Sequence, residues 1–325
     1  MGDYDDTDET LEEFYDAALG FATRYPEFGL LAEQLRAAPP PPRVQGTPII
    51  VSIRIGADPQ AAVALACAAR VRELALVIGE DTASARHARY LLDLQGRGDV
   101  QVVIGDCGSV LDEAVVDLIP GTVGPQSADV LGAVTAVCAG VDGWVRWVGC
   151  GRLTVLAQIH CRAPELAQRL VVSQTVGVLD DPVRAMHNLQ LDPAATTHVI
   201  SSTPELTLVM PDTDGVEAIA IGRGDELYQA LAAPDALACA PLLLAHLDHW
   251  FDQGHLVSTQ FDVVALVLAL DLPLVELLHT ALACSARGMI HTDPAGHPTW
   301  LVINADYLVL ACWLMAQLTQ PSRRV

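Results

Sequence analysis

Basic residues are scarce in this chain. Its 325 residues include 18 Lys and Arg against 40 Asp and Glu, which gives a formal net charge of −22. A surface of that sign repels the phosphates of nucleic acids and the headgroups of anionic lipids. We therefore expect neither a nucleic acid nor a membrane among the partners of this protein.

Long apolar runs and an export signal are also missing. The longest apolar runs, at 263–270 and 307–316, fall well short of the roughly 18 residues that a membrane-spanning helix needs. The first 20 residues contain eight acidic residues and no basic one, which is the reverse of a secretory leader. These absences predict a cytoplasmic protein.

None of the eight cysteines belongs to a C-x-x-C pair. Most of them lie among Ala, Val and Leu, where a thiol behaves as a small buried apolar side chain. This pattern favours free thiols in a reducing compartment over a disulfide framework or a zinc site.

What the chain does have is a high apolar content and an alternation of strand and helix patterns. Hydrophobic residues make up 51% of it, and short runs of Val, Ile and Leu alternate with helical spacing from residue 49 onward. The pattern predicts an α/β fold with a mostly parallel sheet, helices on both faces and a mainly helical part after Glu226. The predicted strands are 49–53, 74–78, 100–104, 144–148, 171–176, 197–200 and 207–210, and the predicted helices include 59–70, 82–95 and 153–160.

The N-terminal part differs from the rest in composition. Its first 24 residues are acidic with apolar residues at helical spacing, and four consecutive prolines at 39–42 form a stiff connector that no helix crosses. We therefore predict an acidic helical extension at 1–45 and a main domain at 46–325. The extension would pack on its own domain, or dock on a neighbouring subunit or another protein.

The segment 51–65, VSIRIGADPQAAVAL, leads from a strand through a glycine turn into an alanine-rich helix. It resembles the N-terminal motif of the inosine-uridine-preferring nucleoside hydrolases, DTDIGTDVDDALAL. The positions that agree are Ile55, Gly56, Asp58, Ala62, Ala64 and Leu65. The aspartates that hold calcium and activate water in that family fall on Ser52, Arg54, Gln60 and Ala61.

Further blocks of the chain resemble the same family in the same order. They are VIGEDTASARHARYLLDLQGRGDV at 77–100, GRLTVLA at 151–157, NLQLDPAA at 188–195 and DVVALVLALDLPLV at 262–275. The family counterparts are VYGNAxxRAxxARRLLDLAGRGDV, GPLTNLA, NFxxDPEAA and DPLAVALALDPSLV. The resemblance implies a nucleoside-hydrolase-like fold with a Rossmann-like core, and a homo-oligomer.

The resemblance also assigns positions to a ribose and calcium site. Asp262 falls on a metal-binding carboxylate, Thr154 on a residue that supplies a backbone carbonyl, and Asn188 on a ribose-binding asparagine. Elsewhere the functional residue of the family is replaced. The replaced positions are Gln60, Ala61 and Arg54 for metal or catalytic aspartates, Phe261 for the leaving-group histidine, Glu80 and Val155 for substrate asparagines, and Met186 for a substrate glutamate.

Arg54 is the substitution with the largest electrostatic effect. A guanidinium stays charged at any ordinary pH, so Arg54 would repel a calcium ion placed beside it. We therefore expect no cofactor and a lost calcium site, and we hypothesise that an Arg54–Asp262 ion pair replaces the metal.

Several polar residues have two interpretations. Asp58 is either a helix-capping residue or a catalytic base, and Glu80 is either a solvated loop acid or the best remaining carboxylate for acid–base work. His246, His249 and Asp252 share a helix face, which is either a metal site or an ordinary polar face. The candidates for binding a ligand are Arg54, Asp262, Asn188, Thr154, Ser52, Gln60, Phe261 and Met186.

Two functions remain open on this reading. One is a binding, regulatory or assembly protein that takes a nucleoside or ribose-like molecule and has lost calcium-dependent hydrolysis. The other is an active N-glycosidase with a rebuilt, metal-independent site. In the second case the polar residues of the active site would be Glu80, Asp58, Asn188, Asp262 and Arg54.

Overall fold

The computed structural model describes residues 42, 44–105, 107, 118–124, 126–176, 187–210 and 215–320. The chain separates into two compact units, Met1–Pro42 and Arg43–Val325. Residues 1–41 and 43 of the predicted N-terminal extension and Met186 lie outside the described residues, as does the side chain of Asn188.

The described part of the second unit contains eleven strands, nine of which form one sheet. The strands are β1 (Ile49–Ile53), β2 (Leu74–Gly79), β3 (Gln101–Ile104), β4 (Val145–Cys150), β5 (Leu170–Thr175), β6 (Glu205–Val209), β7 (Ala220–Gly222), β8 (Val257–Thr259), β9 (Val275–Cys284), β10 (Ile290–Thr292) and β11 (His297–Ala305). The order in the sheet is β10-β9-β11-β6-β5-β4-β1-β2-β3, while β7 and β8 pair separately. The neighbours from β11 to β3 are parallel, and β9 pairs antiparallel with both β10 and β11.

Helices connect the strands and cover the sheet. They are α1 (Gln60–Ala68), α2 (Thr82–Leu94), α3 (Val130–Ala139), α4 (Thr154–Arg162), α5 (Pro164–Ala167), α6 (His187–Leu191), α7 (Pro193–Ser202), α8 (Glu226–Leu231), α9 (Ala240–Asp252), α10 (Phe261–Ala269) and α11 (Tyr307–Thr319). A 3-10 helix at Val216–Ile219 precedes β7. No helix in the described ranges is long and apolar enough to cross a membrane.

Both faces of the central strands are buried. All five residues of β1 are buried, and the four apolar ones divide between two clusters: Ile49, Val51 and Ile53 pack with α1 and α10, while Ile50 packs with Trp147 on the other face. Because side chains alternate along a strand, this division places helices on each side of the sheet. The predicted α/β class with a mostly parallel sheet is confirmed.

One predicted strand is wrong. Residues 197–200 lie in α7, which starts at a proline and is capped by Asp192, whose carboxylate accepts a hydrogen bond from the Ala195 amide at 3.0 Å. Those N-terminal signals outweigh the strand preference of a short run containing threonine, valine and isoleucine.

The part after Glu226 contains the predicted helices, α8 to α11, and also strands that the sequence analysis missed. Strand β9 has the sequence VELLHTALAC, whose apolar residues do not alternate strictly. It is held by antiparallel pairing with β11, from Val275 opposite Ala305 to Leu282 opposite His297. Pairing between distant segments sets this structure, and a local pattern does not reveal it.

Candidate functional site

The candidate residues gather where β1, β2, β4 and β5 end. Arg54 follows β1 and its amide donates to the Cys150 carbonyl at 3.4 Å, while the Glu80 amide donates to the Ile53 carbonyl at 3.0 Å. Parallel strands bring their carboxyl ends to one edge, where open α/β sheets bind ligands. We call this region the carboxyl-edge site and define it by Arg54, Asp58, Glu80, Arg152 and Asp262.

Asp262 is the most unusual group of the carboxyl-edge site. It lies in the first turn of α10 with 3% of its surface exposed. Burial raises the pKa of its carboxyl to about 7; the Thr175 hydroxyl opposes that rise and the Asp58 carboxylate adds to it. The group is therefore partly protonated near neutral pH, and it can both donate and accept a hydrogen bond.

The hypothesised Arg54–Asp262 ion pair is wrong. No ion pair between described residues involves Asp262, and Arg54 is not among the groups that shift its pKa. Arg54 instead lowers the pKa of Glu80. The reason is topological, since Arg54 and Glu80 follow the neighbouring strands β1 and β2, whereas Asp262 comes from α10.

Asp58 anchors a hydrogen-bonded cluster next to Asp262. The Ser258 hydroxyl donates to Oδ1 of Asp58 at 2.7 Å, and the Gln60 amide donates to the same oxygen at 3.1 Å. Oδ2 accepts from the Gln60 side-chain amide at 3.4 Å. Burial raises the pKa of Asp58, and the Ser258 hydrogen bond opposes that rise. Asp58 thus ties the start of α1 to β8 and also places a second carboxyl of raised pKa in the site.

Glu80 forms a buried ion pair with Arg152. The exposed fraction is 5% for the Arg152 side chain and 0% for that of Glu80, and Nε of Arg152 donates to Oε2 of Glu80 at 2.9 Å. Nη1 of Arg152 also donates to the Cys107 carbonyl at 2.8 Å. Burial raises the pKa of Glu80 while Arg152 and Arg54 oppose the rise. The interpretation of Glu80 as a solvated loop acid is wrong, because Glu80 directly follows β2 and is completely buried.

The sequence analysis overlooked Arg152 although a signal was present. The block GRLTVLA has arginine where the family it resembles has proline, and Glu80 stands in place of an asparagine. The two changes introduce opposite charges, and the fold brings them together. Gly151 leaves room for the Glu80 carboxylate, since a Cβ at this position would lie 2.0 Å from Oε1 of Glu80.

Three buried polar atoms near these residues have no hydrogen-bond partner in the structure. They are Ser52 Oγ, Gln60 Oε1 and Glu80 Oε1. A buried polar atom left without a partner costs about 1–3 kcal/mol, so native proteins normally satisfy it with water or a ligand. Cys150 adds no nucleophile, because burial and the Asp262 and Glu80 carboxylates raise its pKa well above the ordinary value.

The remaining candidates for ligand binding have other positions. The Thr154 hydroxyl donates to Oδ2 of Asp192 at 2.7 Å and so joins α4 to α7. Phe261 is the first residue of α10 and is half-buried. Asn188 lies in the short helix α6.

The three metal candidates on α9 point to different neighbours. His246 is buried and donates from Nε2 to the Gly56 carbonyl at 2.8 Å; its ring centroid is 5.6 Å from that of His87. His249 contacts Gln253, and Asp252 pairs with Arg223. Across the described ranges, no group of three or more His, Cys, Asp or Glu residues could hold a metal ion.

Comparison with protein-family models and with curated proteins gives no match. No protein-family model matches the chain, and no curated protein is similar to it in sequence.

Comparison with solved structures gives clear matches. A plant nucleoside hydrolase superposes with a TM-score of 0.69 at 17% identity, covering 84% of this chain and 100% of that chain. The inosine-uridine preferring nucleoside hydrolase from Bacillus anthracis gives a TM-score of 0.65 at 14% identity over 84% and 100% of the two chains. The type III effector protein XopQ, complexed with adenosine diphosphate ribose, gives 0.62 at 14% identity over 90% and 99%. The chain therefore has the nucleoside hydrolase fold, and at these identities the likeness shows the fold alone.

Proposed function

We propose that this protein binds a nucleoside or another ribosyl compound at the carboxyl-edge site and does not hydrolyse N-ribosyl bonds with calcium. It acts as a binding, regulatory or assembly protein. The observation that carries the proposal is the state of Asp262, a buried carboxyl with a pKa of about 7 and no ion pair among the described residues.

The carboxylates of the site do not suit calcium. That ion takes six to eight oxygen ligands, several of them anionic. Both oxygens of Asp58 already accept hydrogen bonds from Ser258 and Gln60, and Glu80 is neutralised by Arg152. Of the three carboxyls, Asp262 alone remains available as a calcium ligand, and a carboxyl that is half-protonated near pH 7 is a poor ligand for a dication.

The same atoms suit a ribosyl ligand. A ribose presents adjacent hydroxyls that donate and accept hydrogen bonds, and the carboxyl-edge site offers buried acceptors on Ser52, Gln60 and Glu80 that lack protein partners. Partly protonated Asp262 adds a group that does both. A structural neighbour, XopQ, was solved with adenosine diphosphate ribose.

Ligand-induced stabilisation tests this proposal. The purified chain is heated with adenosine, inosine, uridine, ribose or adenosine diphosphate ribose in the presence of a chelator. At least one of these compounds should raise the midpoint of thermal unfolding, because a ligand that binds only the native state stabilises it by mass action. The shift should be lost in Asp262→Ala and kept in Asp142→Asn, which changes an exposed acid elsewhere. Stabilisation that appears only when calcium is added would contradict the proposal.

A second function is favoured by the position of Asp58, whose charge raises the pKa of Asp262. Burial raises the pKa of both carboxyls, and the two interact electrostatically. Two coupled carboxyls of raised pKa are the groups that a metal-independent N-glycosidase needs as general acid and general base. Ribose release in the presence of a chelator, abolished by Asp262→Asn, would establish this second function and refute the first.

A further inference from the structure

The helix α11 is apolar on most of its circumference but fully buried on one side only. Its sequence, YLVLACWLMAQLT, contains no charged residue. Tyr307, Leu310, Leu314 and Leu318 recur at helical spacing and face the core. A helix that is apolar on all sides is normally covered on all sides.

The outer side of α11 carries accessible apolar residues. Leu308 is 75% exposed and Val309 is 47% exposed, and Cys312 is exposed one turn after Leu308. Leu308, Cys312 and Met315 are spaced by four and three residues, so they form one stripe along the helix. Exposed apolar surface that is continuous in this way marks an interaction site more often than scattered single residues do.

A groove lies beside this stripe. It has a volume of about 530 Å³, and α11 lines one side with Ala311, Cys312, Leu314 and Met315. The 3-10 helix and β7 supply Ala218, Ile219 and Ala220, and α8 supplies Leu227, from the other side. The groove is therefore apolar along its floor.

The rim of the groove is acidic. Glu217, Asp225 and Glu226 line it and are exposed, and its lining includes no Lys or Arg. The neighbouring Arg223 pairs with Asp248 and Asp252. An apolar floor with an acidic rim complements a helix that has an apolar face flanked by basic residues.

We infer that the α11 groove, defined by the lining residues named above, is a docking site for a basic amphipathic helix of a partner protein. The apolar stripe continues beyond the groove through Leu308, which suits an elongated helical ligand better than a compact small molecule. A second copy of this chain is disfavoured, because it would bring another net charge of −22 towards the acidic rim. This site belongs to α11, α8 and the 3-10 helix and is separate from the carboxyl-edge site.

Peptide binding to the full chain tests the inference. The probe is a fluorescent synthetic peptide of leucine and lysine with the leucines at helical spacing, and binding is measured by fluorescence anisotropy. One control peptide has the same composition with alternating order, and another has glutamate in place of lysine. The helical basic peptide should bind about tenfold more tightly than either control, since binding needs both a continuous apolar face and positively charged residues beside it.

Matched variants locate the binding site on the protein. Glu217→Gln with Glu226→Gln should weaken binding about fivefold, whereas Asp142→Asn with Glu165→Gln removes the same charge elsewhere and should leave it unchanged. Leu308→Ser should also weaken binding, whereas Leu278→Ser, at a residue of β9 that is 44% exposed and does not line the groove, should not. These side chains are exposed, so the variants fold.

Two results would overturn the inference. One is equal weakening by the groove and control variants, which would show attraction to the overall negative charge alone. The other is a native molecular mass, measured by sedimentation, that falls when Leu308→Ser is introduced. That fall would show that a second copy covers α11.

Discussion

Arg152 binds Glu80 through a 2.9 Å hydrogen bond while both side chains are almost completely buried at the carboxyl edge of the sheet. In the family that the sequence resembles, the corresponding residues are proline and asparagine, both neutral, so the ion pair is a point at which this chain differs from that family. The charge of Glu80 is thus balanced by a side chain of the protein itself.

Removing one partner of this pair should destabilise the fold strongly. Arg152→Ala leaves Glu80 as a buried charge without its partner, a change that typically costs about 3–5 kcal/mol. Urea denaturation measures the loss, with the exposed Arg162→Ala as the matched control. The double variant Glu80→Gln/Arg152→Leu should recover much of the stability; if it is as unstable as Arg152→Ala, the buried charge is not the cause.

Gly151 should be intolerant of even one added methyl group. A Cβ there would lie 2.0 Å from Oε1 of Glu80 and 3.1 Å from Cβ of Arg54. Gly151→Ala should therefore displace the Glu80 carboxylate and lower the free energy of unfolding by about 1–3 kcal/mol, as overpacking does. The control is Gly98→Ala, since a Cβ on Gly98 meets nothing within 4 Å. Equal effects of the two substitutions would contradict the close packing described here.

Asp262 should make the protein less stable as the pH rises. Its folded pKa of about 7 lies above the ordinary value of 3.8, so the folded state holds a proton that the unfolded state releases between those values. The contribution is present below pH 3.8 and is lost as the pH rises through 7. Asp262→Asn should therefore stabilise the protein more at pH 8 than at pH 5, by thermal unfolding at both pH values. A smaller gain at pH 8 would contradict the raised pKa.

His87 should act in the opposite direction. Burial lowers its pKa to about 3 from the ordinary 6.5, with a smaller effect of His246, so the folded state excludes a proton that the unfolded state binds. Stability should fall as the pH drops from 6.5 towards 3, by up to about 1.4 kcal/mol per pH unit. His87→Leu should flatten this acid limb of the unfolding curve, whereas His291→Gln should not. A slope unchanged by His87→Leu would show that other groups cause the acid sensitivity.

The sequence predicted the sheet well where buried strands are continuous apolar runs. β1 and β2 are short runs rich in Val, Ile and Leu, and such a run indicates a buried strand from the local sequence alone. The predicted strand at 197–200 failed because Asp192 and Pro193 start a helix that includes it. β9 was missed because its register comes from β11, more than ten residues further along the chain.

The site was harder to predict than the fold. Sequence blocks located Arg54, Asp58, Glu80 and Asp262, but their pairing depends on side-chain directions that no local pattern contains. The sequence analysis pairs Arg54 with Asp262 and gives Glu80 no partner. In the structure Arg152, 72 positions further along the chain, donates a hydrogen bond to the Glu80 carboxylate.

The protein has the nucleoside hydrolase fold, and we propose that it does not carry out calcium-dependent hydrolysis. The most direct test is to measure reducing sugar released from inosine and uridine over a series of calcium concentrations, with a chelator as the zero point. We predict no release above the uncatalysed rate at any calcium concentration. Release that rises with calcium and disappears with the chelator would contradict the account.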